Sequence, residues 1–400
     1  MTKLIGNLPF PRNYASEMLE LERGKGVHVW DTSGNKYLDL GAGIAVNALG
    51  YGRNDLARIA SRQMRKLIHV SNLYATRPAM ELAARLLSLL GTVGDYAAVQ
   101  FGNSGAEANE AALKYARLYA FKTKGPGHHK VLSLSNAFHG RTMGALSATP
   151  NKKYSEAFEP LIPGMHVCDF NDEESLRATV NGEYAAVIVE IVQGEGGLRV
   201  MSREFAAALN RICRDMDIML IVDEIQTGLG RTGTLFASEL VDLKPDILTL
   251  SKPLAGGLPL SATVIPAKIN ELLQPGDHGT TFGGGPVTCA VARQVVDTIA
   301  DPHFLTRVVE RAQQLETLLD KLVTDYGEVT ERRGAGLLQG ICIDSADPAA
   351  RVAEIMAGCR EGGVLLLRSS NNVVRIAPPL VIGEKELARG VDALRRTLRA

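Results

Sequence analysis

Short apolar runs alternate with helical patterns along most of the chain. Six runs rich in Val, Ile, Leu and Ala predict buried strands at residues 97–101, 131–135, 185–191, 218–222, 247–250 and 262–265. Apolar residues at helical spacing predict helices at 54–69, 78–90, 105–122, 203–215 and 286–300. This alternation is typical of a mostly parallel sheet with helices on both faces, so the expected fold class is α/β.

Both ends of the chain have a different pattern. Residues 27–40 predict a β-hairpin, and residues after about 301 predict a smaller α+β domain. That domain contains helices at 303–323 and 348–361 and strands at 329–332, 337–343, 364–367 and 373–376. We therefore expect an N-terminal segment, 1–50, that joins the small domain, a large domain, 51–290, and a C-terminal small domain, 291–400.

Composition and charge exclude several classes of function. The 400 residues are 46% hydrophobic and 22% charged, which is ordinary for a soluble protein. The 44 acidic residues balance the 44 basic ones, so no bulk charge attracts nucleic acid or an anionic membrane. No apolar run approaches the roughly 20 residues that span a bilayer. We therefore expect neither a nucleic-acid nor a membrane partner.

The five cysteines are scattered and form no CxxC pair. This spacing argues against a disulfide framework and against a zinc site, so no metal is expected. The first residues carry no long apolar stretch of the kind found in secretory signals. The sequence therefore predicts a reduced, cytoplasmic location.

Lys252 follows an apolar run and precedes a glycine-rich loop, PLAGG. Loss of hydration at such a strand end favours the neutral, nucleophilic amine. Asp223 ends the preceding apolar run in the same way. Because ligands of parallel sheets bind at the carboxyl ends of the strands, both side chains should meet there. An acid and a lysine in this arrangement are the two groups that pyridoxal phosphate requires.

Two further motifs follow predicted strands. In FGNSGAEANE, Ser104 and the backbone N–H groups at the start of helix 105–122 could bind a phosphate, although an ordinary helix cap is equally compatible. In FHGRT, Phe138 could stack on a planar ring and Arg141 could bind a carboxylate. The alternatives are core packing for Phe138 and a surface ion pair for Arg141. His139 is interpreted as a structural histidine.

Three other segments add polar groups to the same hypothesis. Glu195 in QGEGG could pair with an arginine or be solvated, and Gln226 in DEIQTGLGRTG could hydrogen-bond a ring hydroxyl oxygen. Thr280 and Thr281 in HGTTFGGGP could supply a second phosphate contact or belong to a plain loop. Arg375 in RIAPPL could bind a carboxylate or form a surface ion pair.

Together these motifs resemble the class III (ornithine-type) aminotransferases of the type I pyridoxal phosphate fold. The matching segments include NSGAEANEAALKYAR, NAFHGRT, QGEGG, DEIQTGLGRTG, SKPLAGGLP, HGTTFGGGP and RIAPPLVI, in order from about residue 24 to 385. Within the class, the chain is most similar to acetylornithine aminotransferases.

The resemblance implies a mostly parallel seven-stranded sheet and a homodimer with its active site at the subunit interface. It also implies transfer of the terminal amino group of N2-acetylornithine, or a close relative, to 2-oxoglutarate. The products would be a semialdehyde and glutamate, in arginine biosynthesis.

The resemblance also implies roles in holding pyridoxal 5′-phosphate. Lys252 would form the covalent link to its aldehyde and then move the proton between Cα and C4′. Asp223 would pair with the pyridine nitrogen, Gln226 with the ring oxygen, and Phe138 would stack on the ring. The residues that would hold the phosphate are Ser104, Gly105, Ala106 and, from the partner subunit, Thr281.

Other positions would bind the substrates. Arg141 would bind the α-carboxylate of the donor, and Arg375 would bind the carboxylates of 2-oxoglutarate. Glu195 would mask Arg375 when the amino donor binds, and Thr280 would lie near the substrate. Tyr14 matches a tyrosine of the ornithine δ-aminotransferases that contacts the donor, so it is a further candidate.

The chain departs from the family pattern at Tyr51, Ile191 and Gly285. None of these changes removes a catalytic group, but they leave the donor open. Ornithine, succinylornithine, 4-aminobutyrate and carrier-bound lysine are alternatives. A catalytically silent paralogue is a further alternative, against which the intact Lys252 and Asp223 argue.

A different class of enzyme would be an NAD-dependent oxidoreductase, since residues 228–233 match GxGxxG. These glycines do not directly follow the strand, no convincing helix follows them, and no acid ends a next strand about 20 residues on. The segment 102–106 also lacks the final glycine of the GxSxG motif of serine hydrolases.

Overall fold

The computed structural model describes residues 4–5, 9–14 and 18–399. They form two units, a larger one, Asp55–Thr306, and a smaller one that combines the described residues up to Asn54 with those from Arg307 onwards. The first of these boundaries, after residue 54, lies close to the predicted 50, whereas the second, after residue 306, lies more than a full helical turn beyond the predicted 290. The difference at 290 arises because the helix Pro286–Ile299 lies wholly in the larger unit, where the boundary at 290 would divide it.

The strands are short, and most of them lie in three sheets. They are β1 Leu4–Ile5, β2 Met18–Leu19, β3 Leu21–Lys25, β4 His28–Asp31, β5 Lys36–Asp39, β6 Ala98–Gly102, β7 Lys130–Leu134, β8 Met165–Cys168, β9 Tyr184–Val189, β10 Met219–Asp223, β11 Ile247–Leu250, β12 Ser261–Ile265, β13 Val329–Ala335, β14 Leu338–Ile343, β15 Val364–Leu365, β16 Leu367–Ser369 and β17 Val373–Ile376.

The helices range from single turns to long amphipathic segments. They are α1 Ala42–Ala45, α2 Asn54–Lys66, α3 Arg77–Leu90, α4 Gly105–Lys124, α5 Met143–Ser147, α6 Lys152–Ser155, α7 Glu173–Thr179, α8 Arg203–Asp215, α9 Ser238–Val241, α10 Ala267–Asn270, α11 Pro286–Ile299, α12 Pro302–Asp325, α13 Pro348–Glu361 and α14 Glu384–Arg395. No helix among these described residues combines the length and apolar character that crossing a membrane requires.

A seven-stranded sheet forms the centre of the larger unit. Its order is β6-β12-β11-β10-β9-β7-β8, in which β12 is antiparallel to both neighbours and the other pairs are parallel. This confirms the predicted mostly parallel α/β sheet. The edge strand β8 was not predicted, because its four residues, MHVC, are mostly part-exposed and form no apolar run.

The apolar runs form strands because both faces of the sheet are covered. Every residue of β9, β10, β11 and β12 is buried. Helix α8 buries Phe205, Leu209 and Ile212 on its inner face. Helix α4 instead presents small residues, including Ala108, Ala112 and Ala116, which let its backbone approach the strands closely.

The parallel register of β10 and β11 brings the two predicted reactive groups to one edge of the sheet. Asp223, the last residue of β10, pairs with Thr249 of β11, and Lys252 lies three positions further along the chain. Both side chains therefore lie at the carboxyl ends of adjacent strands, where ligands of such sheets bind.

The smaller unit contains two four-stranded sheets, ordered β13-β14-β17-β16 and β15-β5-β4-β3. The predicted hairpin at 27–40 forms β4 and β5. Strand β5 also pairs in parallel with β15, so the N-terminal hairpin belongs to the same unit as the C-terminal region.

The turn α1 is a left-handed turn, since φ is 48° at Ala42, 63° at Gly43, 64° at Ile44 and 62° at Ala45. For residues other than glycine this conformation costs about 1–2 kcal/mol each. Asp39 stabilises its entry, because Oδ1 accepts the N–H of Gly41 at 2.7 Å and that of Ala42 at 3.0 Å.

Tyr51, one of the departures from the family pattern, belongs to the same arrangement. Its hydroxyl donates to Asp39 Oδ2 at 2.5 Å, and burial followed by the Asp39 charge raises the pKa of the phenol. Tyr51 therefore supports the carboxylate that holds the left-handed turn.

Candidate active site

A cavity of about 270 Å³ opens at the carboxyl ends of the central strands. Eight of the thirteen predicted site residues line it: Gly105, Ala106, Phe138, Arg141, Glu195, Asp223, Gln226 and Lys252. These residues come from five segments that are far apart in sequence. The fold of the larger unit therefore brings the separate motifs into one site.

Five predicted residues do not line this cavity. Ser104 lies beside it as the N-cap of α4, where its Oγ accepts the Glu107 N–H at 3.3 Å. Thr280 and Thr281 line two other recesses of the larger unit. Arg375 is buried on β17 and Tyr14 is exposed, and both belong to the smaller unit.

Asp223 is buried at the cavity wall and accepts three hydrogen bonds. Oδ2 lies 2.8 Å from the Asn109 Nδ2 donor and 2.9 Å from His139 Nδ1, and Oδ1 accepts the Ile225 N–H at 3.0 Å. Three donors around a carboxylate stabilise its negative charge and offset the loss of hydration. The sheet edge thus presents a fixed anion to the cavity.

His139 is buried, as expected of a structural histidine, and its ring contacts Asp223. Because Asp223 can only accept when it is ionised, the Nδ1 atom of His139 carries the proton. The backbone N–H of His139 donates to Thr149 Oγ1 at 2.9 Å, which fixes the position of the ring. His139 is therefore a buried donor to the predicted ring-nitrogen partner.

Glu190 is a second buried acid in the cavity, and the sequence analysis assigned it no role. Oε2 accepts the Phe138 N–H at 2.9 Å, and Oε1 accepts the Gly194 N–H at 3.2 Å. Burial raises the pKa of Glu190 to about 7, and the Asp223 charge adds to this effect while His139 opposes it. Glu190 therefore joins the loop that carries Phe138 to the loop that carries Glu195. It follows the apolar run of β9 directly, which is the same signal that identified Asp223.

Gln226 packs directly against the backbone at Gly194. A Cβ atom at position 194 would lie 2.0 Å from Gln226 Oε1, so a larger residue there would displace the end of this side chain. Since the N–H of Gly194 binds Glu190, the loop 193–197 holds Gln226 from one side. The close approach explains the first glycine of QGEGG, Gly194.

The N-terminus of α4 forms another wall. Gly105 and Ala106 start a 20-residue helix whose unpaired N–H groups and dipole favour an anion. Gly140, with φ of 144°, lies against it, since a Cβ there would be 2.8 Å from Ala106 Cβ. The small side chains let the loop after β7 lie against the helix start.

Arg141 lies over the ring of Tyr154, with Cζ 3.8 Å from the ring centroid. Tyr154 in turn meets Phe138 edge-on, with ring centroids 6.1 Å apart. The stack orients an exposed guanidinium beside the cavity without neutralising it. Tyr154 was not predicted, since its position in KKYSEAF carries no motif or periodicity.

The segment that matches GxGxxG does not form a dinucleotide-binding turn. The residues from Ile225 to Ala237 form turns and bends, and the helix that follows, α9, has only four residues. Within this segment Arg231 is almost fully buried, and this burial lowers its pKa to about 9. The strand–turn–helix unit required by the oxidoreductase alternative is therefore missing from these residues.

Comparison with known proteins identifies the family. The family model described as "Aminotransferase class-III" matches residues 10–398. The chain belongs to this family.

Relatives of this class-III aminotransferase match nearly the whole chain. A probable mitochondrial acetylornithine aminotransferase from Dictyostelium discoideum is 42% identical over 370 residues, covering 91% of this chain and 80% of its own. The ornithine aminotransferase from Toxoplasma gondii ME49 matches with a TM-score of 0.91 and 33% identity, covering 97% of this chain and 92% of its own. The N-acetylornithine aminotransferase from Stenotrophomonas maltophilia K279a matches with a TM-score of 0.83 and 34% identity, covering 96% of this chain and 96% of its own.

Membership of the class-III aminotransferases makes the protein a transaminase whose cofactor is pyridoxal phosphate. The residues of the cavity fit this group. A buried carboxylate with three donors suits a protonated pyridine nitrogen, and the helix start at Gly105 suits a phosphate. Lys252 and the Phe138 ring lie in the same cavity.

The raised pKa of Glu190 predicts a pH-dependent stability of the cofactor-free protein. Its folded pKa, about 7, exceeds the ordinary 4.5, so the folded state binds more protons between these values. Stability should therefore fall as pH rises through this window and level off above it. The free energy of unfolding of Glu190→Gln minus that of the wild-type protein should therefore increase by about 3 kcal/mol as the pH rises from about 4.5 to 8.

Urea unfolding of the wild-type and Glu190→Gln proteins over this pH range measures the difference. Glu224, whose pKa is also raised to about 7 by burial, titrates in both proteins and cancels. A difference that does not change with pH would contradict the prediction.

Proposed function

We propose that this aminotransferase moves the terminal amino group of N2-acetylornithine, or a close relative, to 2-oxoglutarate. The products are a semialdehyde and glutamate, and the pathway is arginine biosynthesis. The observation that carries the proposal is the meeting of Lys252, Asp223 and Arg141 in one cavity. Similar proteins from a bacterium, Haemophilus ducreyi, and an archaeon, Methanocaldococcus jannaschii, are named acetylornithine aminotransferase. This favours acetylornithine over ornithine as the donor.

In this proposal the chain supplies positioning and proton transfer. Bound pyridoxal phosphate contributes an electron sink that stabilises negative charge on the donor carbon. Lys252 Nζ would hold the cofactor covalently. It would also carry the proton between the donor carbon that bears the amino group and C4′ of the cofactor. Asp223 holds a positive charge on the ring nitrogen, and Gln226 binds the ring oxygen.

The remaining residues bind the cofactor's phosphate and ring. Ser104, Gly105 and Ala106 bind the phosphate through a hydroxyl and helix N–H groups. Thr281 of the partner subunit adds a hydroxyl, and Phe138 covers one face of the ring.

Carboxylate recognition distinguishes the two substrates. Arg141 binds the donor α-carboxylate, and its stacking on the Tyr154 ring keeps the guanidinium group in place. Arg375 binds 2-oxoglutarate, and Glu195 pairs with Arg375 while the donor occupies the site. Thr280 and Tyr14 are further substrate contacts in this scheme.

A homodimer follows from the same scheme, because Thr281 serves the other subunit. An apolar patch, defined as Ile68, Leu73, Tyr74 and Phe282, supports it, with Leu73 86% and Phe282 68% exposed. The His69 and Phe282 rings lie 5.5 Å apart, so the two segments of the patch adjoin. A cytoplasmic location is proposed too, since all five cysteines are buried and none forms a disulfide.

The dimer can be tested by molar mass. Leu73→Asp should convert it to a monomer by burying an unpaired charge in the interface. Phe158→Asp is the matched control, since Phe158 is 59% exposed outside the patch. Light scattering should give twice the chain mass for wild-type and control. A monomeric wild-type protein would refute the dimer.

The donor can be identified with a panel assayed against 2-oxoglutarate. We expect kcat/KM for N2-acetylornithine to exceed that for ornithine and 4-aminobutyrate by about tenfold or more. Succinylornithine and carrier-bound lysine complete the panel, and glutamate formation is the readout. A higher kcat/KM for any other member would transfer the assignment to that donor.

The role of Lys252 can be tested by removing its amine. Lys252→Ala should lower transamination by about 10³-fold or more and should keep phosphate binding. Lys244→Ala is the control, because Lys244 forms a surface ion pair with Asp242. Borohydride reduction of the wild-type protein followed by mass spectrometry should locate the cofactor on Lys252. An adduct at another lysine, or an active Lys252→Ala protein, would refute the role.

A further inference from the structure

Asn109 is a polar residue where helix α4 otherwise packs small and apolar side chains. Its side chain is fully buried, and its neighbours on the inner face include Ala108 and Ala112. A buried amide is costly unless its donors and acceptor are paired. Asn109 therefore needs specific partners, and the structure provides them.

Three hydrogen bonds satisfy this amide. Nδ2 donates to Asp223 Oδ2 at 2.8 Å and to the His139 carbonyl oxygen at 2.7 Å. Oδ1 accepts the hydroxyl of Thr249 at 2.9 Å. Thr249 is itself buried on β11, directly opposite Asp223 in the sheet.

The Asp223 carboxylate and the His139 carbonyl fix which way the amide points. Because both groups accept, the NH₂ group must face them, and Oδ1 is left to accept the Thr249 hydroxyl. The flipped amide would place Oδ1 against two acceptors, the Asp223 carboxylate and the His139 carbonyl. The chain from Thr249 to Asn109 to Asp223 therefore has one satisfactory arrangement.

We propose that Asn109, held by a hydrogen bond from Thr249, is a positioning residue that sets the Asp223 carboxylate for the ring nitrogen of pyridoxal phosphate. Asn109 and His139 both donate to Oδ2. Among the described residues, the Ile225 N–H donates to Oδ1. Oδ1 keeps a lone pair for the pyridine N–H. This inference rests on the proposed role of Asp223.

Two substitutions test the series of hydrogen bonds from Thr249 through Asn109 to Asp223. Asn109→Leu removes the donor to Asp223 at similar volume, and Thr249→Val removes the hydroxyl without changing the shape of the side chain. Thr249→Ser is the conservative control, since it keeps the hydroxyl. Circular dichroism and thermal unfolding confirm that each holoenzyme is folded.

The first readout is the rate at which the holoenzyme releases pyridoxal phosphate after dilution. We expect Asn109→Leu to release it about tenfold faster and Thr249→Val about threefold faster, with Thr249→Ser close to wild-type. The double variant Asn109→Leu/Thr249→Val should be no faster than Asn109→Leu alone, because Thr249 acts through Asn109.

The second readout is the pH titration of the bound cofactor's absorbance. Its midpoint should rise by about one pH unit in Asn109→Leu, because a less strongly held Asp223 leaves less positive charge on the ring. The titratable groups that face Asp223 are His139, Glu190 and Lys252, and all are unchanged in these variants. A loosely packed but correctly charged site would not move this midpoint.

Asp223→Asn distinguishes the proposed role of Asp223 from the proposed positioning role of Asn109. If Asp223→Asn leaves both readouts unchanged, the role of Asp223 itself is refuted. If Asp223→Asn alters both readouts but Asn109→Leu and Thr249→Val do not, the positioning role of Asn109 is refuted and that of Asp223 is kept. Additive effects in the double variant would also refute the relay through Asn109.

Discussion

The buried carboxylate of Asp223 is the constraint on which the site depends. A charge placed at the end of a fully buried strand is unfavourable unless several donors surround it. The fold supplies them from three directions: Asn109 from helix α4, His139 from the loop after β7, and the N–H of Ile225 from its own turn. Helix, loop and sheet must therefore meet at one point to surround this charge with donors.

Close approach of backbone segments makes this meeting possible. Gly140 lies against Ala106 at the start of α4, and Gly194 lies against Gln226. A methyl group at Gly140 would push its loop away from the start of α4, and one at Gly194 would displace the end of the Gln226 side chain. Glu190 then ties these loops together through the N–H groups of Phe138 and Gly194. The glycine-rich motifs are thus a packing requirement as much as a conformational one.

The distribution of charge around the cavity follows from the different degrees of burial. Glu190 lies so deep that its pKa rises to about 7, whereas Asp223 has enough donors to hold a negative charge beside it. Arg141 lies at the exposed rim on the ring of Tyr154, where it remains available to a carboxylate. The buried floor therefore suits the cofactor, and the polar rim suits the substrates, which differ in their carboxylates.

The sequence by itself determined the α/β class, the strand ends that carry Asp223 and Lys252, and the motifs of the class-III aminotransferases, because apolar periodicity and strand–loop transitions are local properties. It did not give the edge strand β8, whose residues are half-exposed, or the partners Asn109, Glu190 and Tyr154. Asn109 lies 114 residues before Asp223, and Tyr154 lies on α6, outside the loop that carries Phe138. Only the tertiary structure decided these contacts, because a hydrogen bond between distant segments depends on how the helix and loops pack against the sheet.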